Sequence, residues 1–84
     1  MNGAKKVEVR ARMSGVFYRK PDPEAPPYVE VGDEVKRGQV LGILETMKVF
    51  QKIKAPVDGK VVEILAENES LIKDNQVIFV VEAA

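Results

Sequence analysis

The feature that most constrains the fold of this chain is an internal repeat, in which two blocks of the first half recur in the second. Residues 11–17 align with residues 55–61 at an offset of 44, and residues 35–45 align with residues 72–82 at an offset of 37. A repeated unit that cannot bury its apolar face alone packs against its copy. The repeat therefore predicts two similar units related by a pseudo-two-fold axis.

The hydrophobic pattern within each unit is that of short β-strands. Apolar and polar residues alternate from Val7 to Met13 and again from Val49 to Lys54, which places successive side chains on opposite faces. Turns that contain glycine or proline separate such runs, and no apolar period of 3.6 persists long enough for a helix. We expect an all-β domain of seven or eight strands, closed into a flattened β-barrel or sandwich.

Length and charge limit the classes of function. The 84 residues suffice for one domain, which we assign to residues 7–82, with residues 1–6 as a linker or disordered lead. Thirteen basic and thirteen acidic residues cancel, so the charge expected of a general nucleic-acid binder is missing. The sequence contains no apolar run of membrane-spanning length. We therefore expect a protein of the cytoplasm, or of an organelle matrix, without a membrane partner.

The chain contains neither cysteine nor histidine. This excludes zinc sites built from the usual ligands, thiol nucleophiles and a histidine general base. We accordingly expect no metal site, no catalytic residue and no self-contained enzyme activity. A small neutral domain of this kind is better interpreted as a protein that is carried or acted upon.

A single lysine, Lys48, is predicted at a hairpin tip where the two halves meet. One strand-like run ends at Glu45 and the next begins at Val49, so the residues between them must form a tight connection. Exposed tips usually carry Asn-Gly or another pair with glycine, whereas this one has Met47 beside a flexible amine. The pattern suggests that another molecule recognises these two side chains, and the alternative is an ordinary surface turn.

The segment Glu45-Thr46-Met47-Lys48, placed between two strands, resembles the attachment site of the biotinyl/lipoyl carrier family. In that family the central lysine is acylated by biotin or lipoate. Biotin carriers typically read Glu-Ala-Met-Lys-Met, and lipoyl carriers read Glu-Thr or Glu-Ser followed by Asp-Lys-Ala. Met47 matches the biotin branch, Thr46 is frequent in the lipoyl branch, and Val49 replaces the second methionine of biotin carriers. The resemblance implies a barrel-sandwich hybrid of two four-stranded antiparallel sheets with quasi-two-fold symmetry.

The two repeat offsets differ by seven, so the first half contains seven extra residues between its matching blocks. The interval includes four prolines among residues 21–27, which cannot donate hydrogen bonds to a sheet ladder and indicate a stiff loop. An insertion at about residues 19–28 resembles the thumb of biotin carriers of the acetyl-CoA carboxylase type, which leans toward the attached biotin. Lipoyl domains lack this segment, and the alternative is a plain surface loop.

The resemblance implies a role for each residue of the tip. Lys48 would carry covalent biotin, Met47 would be recognised by a biotin protein ligase, and Glu45, Thr46 and Val49 would flank the recognised motif. The implied partners are that ligase, a biotin carboxylase and a carboxyltransferase, with acetyl-CoA carboxylated to malonyl-CoA. The alternatives are a lipoyl carrier of a 2-oxoacid dehydrogenase or glycine-cleavage type system and an unmodified β interaction module.

Overall fold

The computed structural model of the chain describes residues 5–84, which form eight β-strands and no helix. The strands, in chain order, are β1 (Lys6–Arg10), β2 (Gly15–Tyr18), β3 (Glu34–Val35), β4 (Val40–Thr46), β5 (Val49–Lys54), β6 (Gly59–Ile64), β7 (Ser70–Ile72) and β8 (Val77–Ala83). The all-β prediction and the strand number are confirmed. Across residues 5–84 there is no helix that could cross a membrane.

The strands form two four-stranded antiparallel sheets, which we call the A sheet and the B sheet. The A sheet has the strand order β1-β8-β6-β3 and the B sheet has the order β5-β4-β2-β7. Exchanging β1 with β5, β2 with β6, β3 with β7 and β4 with β8 converts one order into the other. The predicted quasi-two-fold symmetry is therefore present in the topology, and each sheet takes two strands from each half of the chain.

The symmetry extends to individual backbone hydrogen bonds outside the strands. The Ala11 N–H donates to the carbonyl of Gln76 at 2.9 Å, and the Ala55 N–H donates to the carbonyl of Gln39 at 2.9 Å. These residues are repeat counterparts at the offsets of 44 and 37. The repeat in the sequence thus corresponds to equivalent turns that fasten each half to the other.

The core lies between the two sheets and is entirely apolar within the described residues. Phe17 of β2 and Phe79 of β8 meet edge to face, with ring centroids 5.6 Å apart and planes at 75°, a favoured geometry for aromatic pairs. The other largest fully buried side chains are aliphatic residues of three strands, namely Leu41, Leu44, Val61, Ile78 and Val81. This core gives a flattened body of 44 × 27 × 19 Å.

The predicted insertion lies in the long connection between β2 and β3. The Tyr28 N–H donates to the Arg19 carbonyl at 2.8 Å, which closes the base of the loop. The Arg19 guanidinium donates to the Val29 carbonyl at 3.0 Å, and the Arg19 N–H donates to the side chain of Asn68 at 2.8 Å. Because Val29 is also buried in the core, the loop is fixed to the domain at its return end.

Two predicted boundaries differ in detail from the structure. Of the proposed lead over residues 1–6, residues 1–4 lie outside the described part of the chain, and β1 begins at Lys6, which pairs with Glu82. The hairpin connection was expected to include Thr46, but this residue pairs with Val49 and belongs to β4. The tip is therefore a two-residue turn.

Candidate functional site

The tip between β4 and β5 consists of Met47 and Lys48 alone. Both residues have positive φ angles, 48° for Met47 and 70° for Lys48. Among the favoured two-residue hairpin turns, only type I′ has positive φ at both central positions. The right-handed twist of the flanking strands favours this turn, although its usual residues are asparagine, aspartate and glycine.

The side chains at this turn are held in an unfavourable backbone region. For residues other than glycine, asparagine and aspartate, the left-handed region costs about 1–2 kcal/mol per residue because Cβ approaches the following carbonyl oxygen. Neither methionine nor lysine offers a local hydrogen bond that offsets this. Strain that the rest of the fold sustains at an exposed position is typical of functional sites.

Both tip side chains project into solvent. Met47 is 91% exposed, and Lys48 and Val49 are also exposed. Within residues 5–84, no hydrogen bond or ion pair engages the Lys48 amine. The amine is thus presented on a rigid hairpin while its four-carbon stem remains free to move.

Glu45 and Thr46 form the end of the strand that supports the turn. Thr46 pairs with Val49 directly behind the tip, and Glu45 pairs with Phe50 one position further back. The Glu45 carboxylate accepts a hydrogen bond of 2.9 Å from the hydroxyl of Tyr18. This bond, with burial and the nearby negative charge as smaller causes, raises the pKa of Tyr18 above 10.0.

A groove of about 420 Å³ lies between the insertion and the B sheet. Its lining comes from residues 20–23 of the insertion, from Tyr18 of β2, and from the chain just before β7. Strands β4 and β5 contribute Ile43, Glu45 and Phe50. Two of these residues, Glu45 and Phe50, come within three residues of Lys48 along the chain. The exposed lining of the groove is mainly apolar. Tyr18 and Glu45 supply polar groups from the B sheet, and Lys20, Asp22, Asn68 and Glu69 supply the others.

The five residues that the sequence singled out, 45–49, all lie on the hairpin of β4 and β5. The structure adds Tyr18 and Phe50 as neighbours of Glu45. The sequence pattern placed Glu45 beside the recognised motif but did not identify the phenol that contacts it. The register explains the contact, because Tyr18 pairs with Ile43 and Glu45 is two residues further along β4 on the same face. The repeat offers no signal for it, since the counterpart of Tyr18 is Val62.

A family model described as "Biotin-requiring enzyme" matches residues 7–81. The biotin carboxyl carrier protein of acetyl-CoA carboxylase from Streptococcus pyogenes serotype M6 is 47% identical over 68 residues, which are 81% of this chain and 41% of that protein. The chloroplastic biotin carboxyl carrier protein of acetyl-CoA carboxylase from Glycine max is 42% identical over 74 residues, 88% of this chain and 28% of that protein.

The chain thus spans less than half the length of the curated relatives it matches. The crystal structure of the Kluyveromyces lactis urea carboxylase superposes with a TM-score of 0.77 at 23% identity, covering 96% of this chain and 6% of that one. At this identity the likeness demonstrates the fold. Because the family model extends over nearly the whole described region and sequence identities exceed 40%, the chain belongs to the biotinyl/lipoyl domain family.

Proposed function

We propose that this chain is a biotin carboxyl carrier domain in which Lys48 is the biotinylated residue. Attached biotin would carry a carboxyl group from a biotin carboxylase to a carboxyltransferase, with acetyl-CoA as the acceptor. The chain itself would catalyse neither step. The names of the relatives, biotin carboxyl carrier proteins of acetyl-CoA carboxylase, support the acceptor and the partners.

The observation that carries the proposal is the free Lys48 amine on a strained type I′ turn. Two residues with positive φ occupy a position where Asn-Gly would be more stable, so the turn is not explained by hairpin stability. Met47 and Lys48 are both exposed, and neither contributes to the core. A lysine that must reach the active site of another protein accounts for both the strained turn and the exposure of its two side chains.

The chemistry of attachment requires a second protein. An amine does not form an amide with a free carboxylic acid at a useful rate, so the carboxyl group of biotin must first be activated. A biotin protein ligase would supply biotinyl-adenylate, made from biotin and ATP. The neutral Nζ of Lys48 attacks the acyl carbon, the amide N–C bond forms, the bond to AMP breaks, and the nitrogen loses a proton. Met47 would mark the site for this ligase, with Glu45, Thr46 and Val49 as flanking contacts.

The residues around the tip fit a biotinyl group. The groove beside Glu45 and Phe50 offers apolar surface from Ile43 and from the two prolines of residues 20–23. Its polar groups include the Tyr18 hydroxyl and the carboxylates of Glu45 and Glu69. Apolar surfaces with a few polar groups are typical of sites for small cofactors. These residues would shelter an arm attached to Lys48 between visits to the partner enzymes, where tethering raises its effective concentration.

Intact mass measurement tests the proposal. The chain is incubated separately with a biotin ligase and a lipoate ligase, each with ATP and its acid, and the adduct is mapped to a peptide. We expect one biotinyl group on Lys48 and no adduct on the Lys48→Arg variant, since a guanidinium cannot replace the amine. A matched control is Lys52→Arg, on the same hairpin and exposed, which should be modified normally.

Each other result would exclude the proposal in a defined way. A lipoyl adduct alone would assign the chain to the lipoyl carriers, the alternative that Thr46 and Val49 favour. Persistent labelling of Lys48→Arg would refute the site. No adduct from either ligase would leave the unmodified interaction module as the better interpretation.

A further inference from the structure

The outer faces of the two sheets contain equivalent rows of side chains that differ in chemistry. In each sheet, four residues, one from each strand, pair with one another across the sheet and form a row on the face opposite the core. In the A sheet we call this the charged row, and it consists of Lys6, Glu82, Lys60 and Glu34. In the B sheet we call it the apolar row, and it consists of Phe50, Glu45, Val16 and Leu71.

The two rows are related by the internal symmetry. Phe50 corresponds to Lys6 and Val16 to Lys60 at the offset of 44, and Leu71 corresponds to Glu34 at the offset of 37. Glu45 and Glu82 are also counterparts, and they are the one charge that both rows share. The A sheet alternates opposite charges, as cross-strand pairing and solubility favour, whereas the B sheet replaces three of the four with apolar residues.

The fold therefore does not require apolar residues at these positions. Leu71 is 81% exposed and Phe50 is 62% exposed, so neither gains much from burial within the domain. Exposed large hydrophobic side chains grouped on one face are typical of interaction surfaces. Because the A sheet supplies the same backbone with charged residues, the difference points to a surface that is covered by another molecule.

The position of the apolar row identifies the occupant. Its first pair, Glu45 and Phe50, lies directly behind the Thr46–Val49 pair that closes the lysine hairpin. A protein that reacts with the unmodified amine must bring its active site against this end of the B sheet. Enzymes that act on a longer, already attached arm have no such constraint. The row is therefore continuous with the surface that an acylating enzyme must contact.

We propose that the apolar row is the docking surface for the ligase that acylates Lys48, with an apolar patch of that enzyme covering Val16 and Leu71. This rests on the function proposed above and extends recognition beyond the tip motif. Leu71 is three strand spacings from Phe50, about 14 Å. Its contribution is thus separable from that of the residues next to Lys48.

The test compares initial rates of biotinylation for the wild-type chain and the double variant Val16→Arg/Leu71→Glu, over a range of chain concentrations. The double variant gives positions 16 and 71 the charges of their counterparts in the charged row, Lys60 and Glu34, without adding a lysine. We expect its KM to rise about tenfold while kcat is unchanged, the size of effect expected for central interface residues. The single variant Leu71→Glu, at the more exposed position, should show part of the rise.

The matched control is Lys60→Ala/Glu34→Ala, which truncates the equivalent positions of the charged row and also leaves the formal net charge at zero. Its KM should equal that of the wild type, and thermal unfolding followed by circular dichroism verifies that each variant is folded. Equal KM values for the wild type and the double variant would overturn the docking surface while the carrier function stands. A wild-type dimer in sedimentation that the double variant disrupts without a change in KM would assign the row to self-association instead. Absence of any adduct on the wild type would overturn both proposals.

Discussion

Replacing the tip residues by the pair that the turn prefers should stabilise the domain, although it removes the proposed attachment site. The variant is Met47→Asn/Lys48→Gly. Both positions have positive φ, and Asn-Gly is the pair most favoured in type I′ turns. Neither native side chain is buried, so their removal leaves no cavity. The gain should therefore reflect the backbone alone.

The magnitude follows from two opposing terms. The left-handed conformation costs about 1–2 kcal/mol for each ordinary residue, and this is relieved fully at position 48 and partly at position 47. Glycine adds conformational freedom to the unfolded chain, which removes about 0.4–1 kcal/mol of that gain. The net stabilisation is about 1 kcal/mol, and in a domain of this size it raises Tm by about 4–8 °C.

Thermal and urea unfolding followed by far-ultraviolet circular dichroism measure this change. Two other positions calibrate it. Glu69 has φ of 67° and its repeat counterpart is Gly32 with φ of 100°, so Glu69→Gly should also stabilise. Gly38 has φ of 87°, and apart from its chain neighbours no residue has an atom within 4 Å of the place that a Cβ would take, so Gly38→Ala should destabilise through backbone strain alone. An unchanged or lower Tm for the tip variant, with both calibrating variants behaving as expected, would refute the strain argument.

Three further predictions concern the Tyr18–Glu45 hydrogen bond, two close strand contacts at glycine, and the aromatic pair of the core. Tyr18→Phe should remove a pH dependence of the free energy of unfolding. Because the pKa of Tyr18 is raised in the folded state, its hydrogen bond to Glu45 stabilises the fold below the unfolded pKa near 10, and this stabilisation is lost as the pH rises through the folded pKa. Urea unfolding between pH 8 and 11 should therefore show a smaller decline in stability for the variant than for the wild type. Gly15→Ala should destabilise the domain by about 1–3 kcal/mol, because the added Cβ would clash with the Glu45 carbonyl of β4. Gly59→Ala should destabilise it similarly, because its Cβ would clash with the Glu82 carbonyl of β8. An unchanged urea midpoint for either variant would contradict the close approach of the strands. Phe17→Ala should cost about 3–5 kcal/mol by opening a cavity against Phe79, and a loss below about 1 kcal/mol in the same assay would contradict the packing.

The internal repeat made most of the fold predictable. Its two offsets placed equivalent strands and turns, and the structure has those turns, down to the bonds of Ala11 and Ala55. The alternation of apolar and polar residues predicted β-strands. The lysine hairpin followed from the strand-like runs that end at Glu45 and begin at Val49. The length of the turn was overestimated by one residue because Thr46 has no turn character of its own and simply continues β4.

The assignment of strands to sheets was not predictable in the same way. Each sheet combines β-strands from both halves, and a local pattern carries no information about pairing between residues far apart in the sequence. The Tyr18–Glu45 hydrogen bond was missed for the same reason, since it depends on the register of β2 against β4. The roles of Glu45, Thr46, Met47 and Val49 in recognition stay predictions.

A duplicated fold provides an internal control, because whatever the fold itself requires should be met in both halves. Central core positions meet this condition: Phe17 and Val61 are counterparts, as are Leu44 and Val81, and all four are buried. Three features do not: the interval between the aligned repeat blocks is seven residues longer in the first half, the apolar row replaces a charged one, and a lysine hairpin joins the halves. All three lie against the B sheet or at its end, two of them in contact with the groove beside Glu45 and Phe50. Since symmetry explains none of them, selection for a function at this end of the B sheet is the simplest common cause, and a variant that restores symmetry there should preserve stability while impairing acylation.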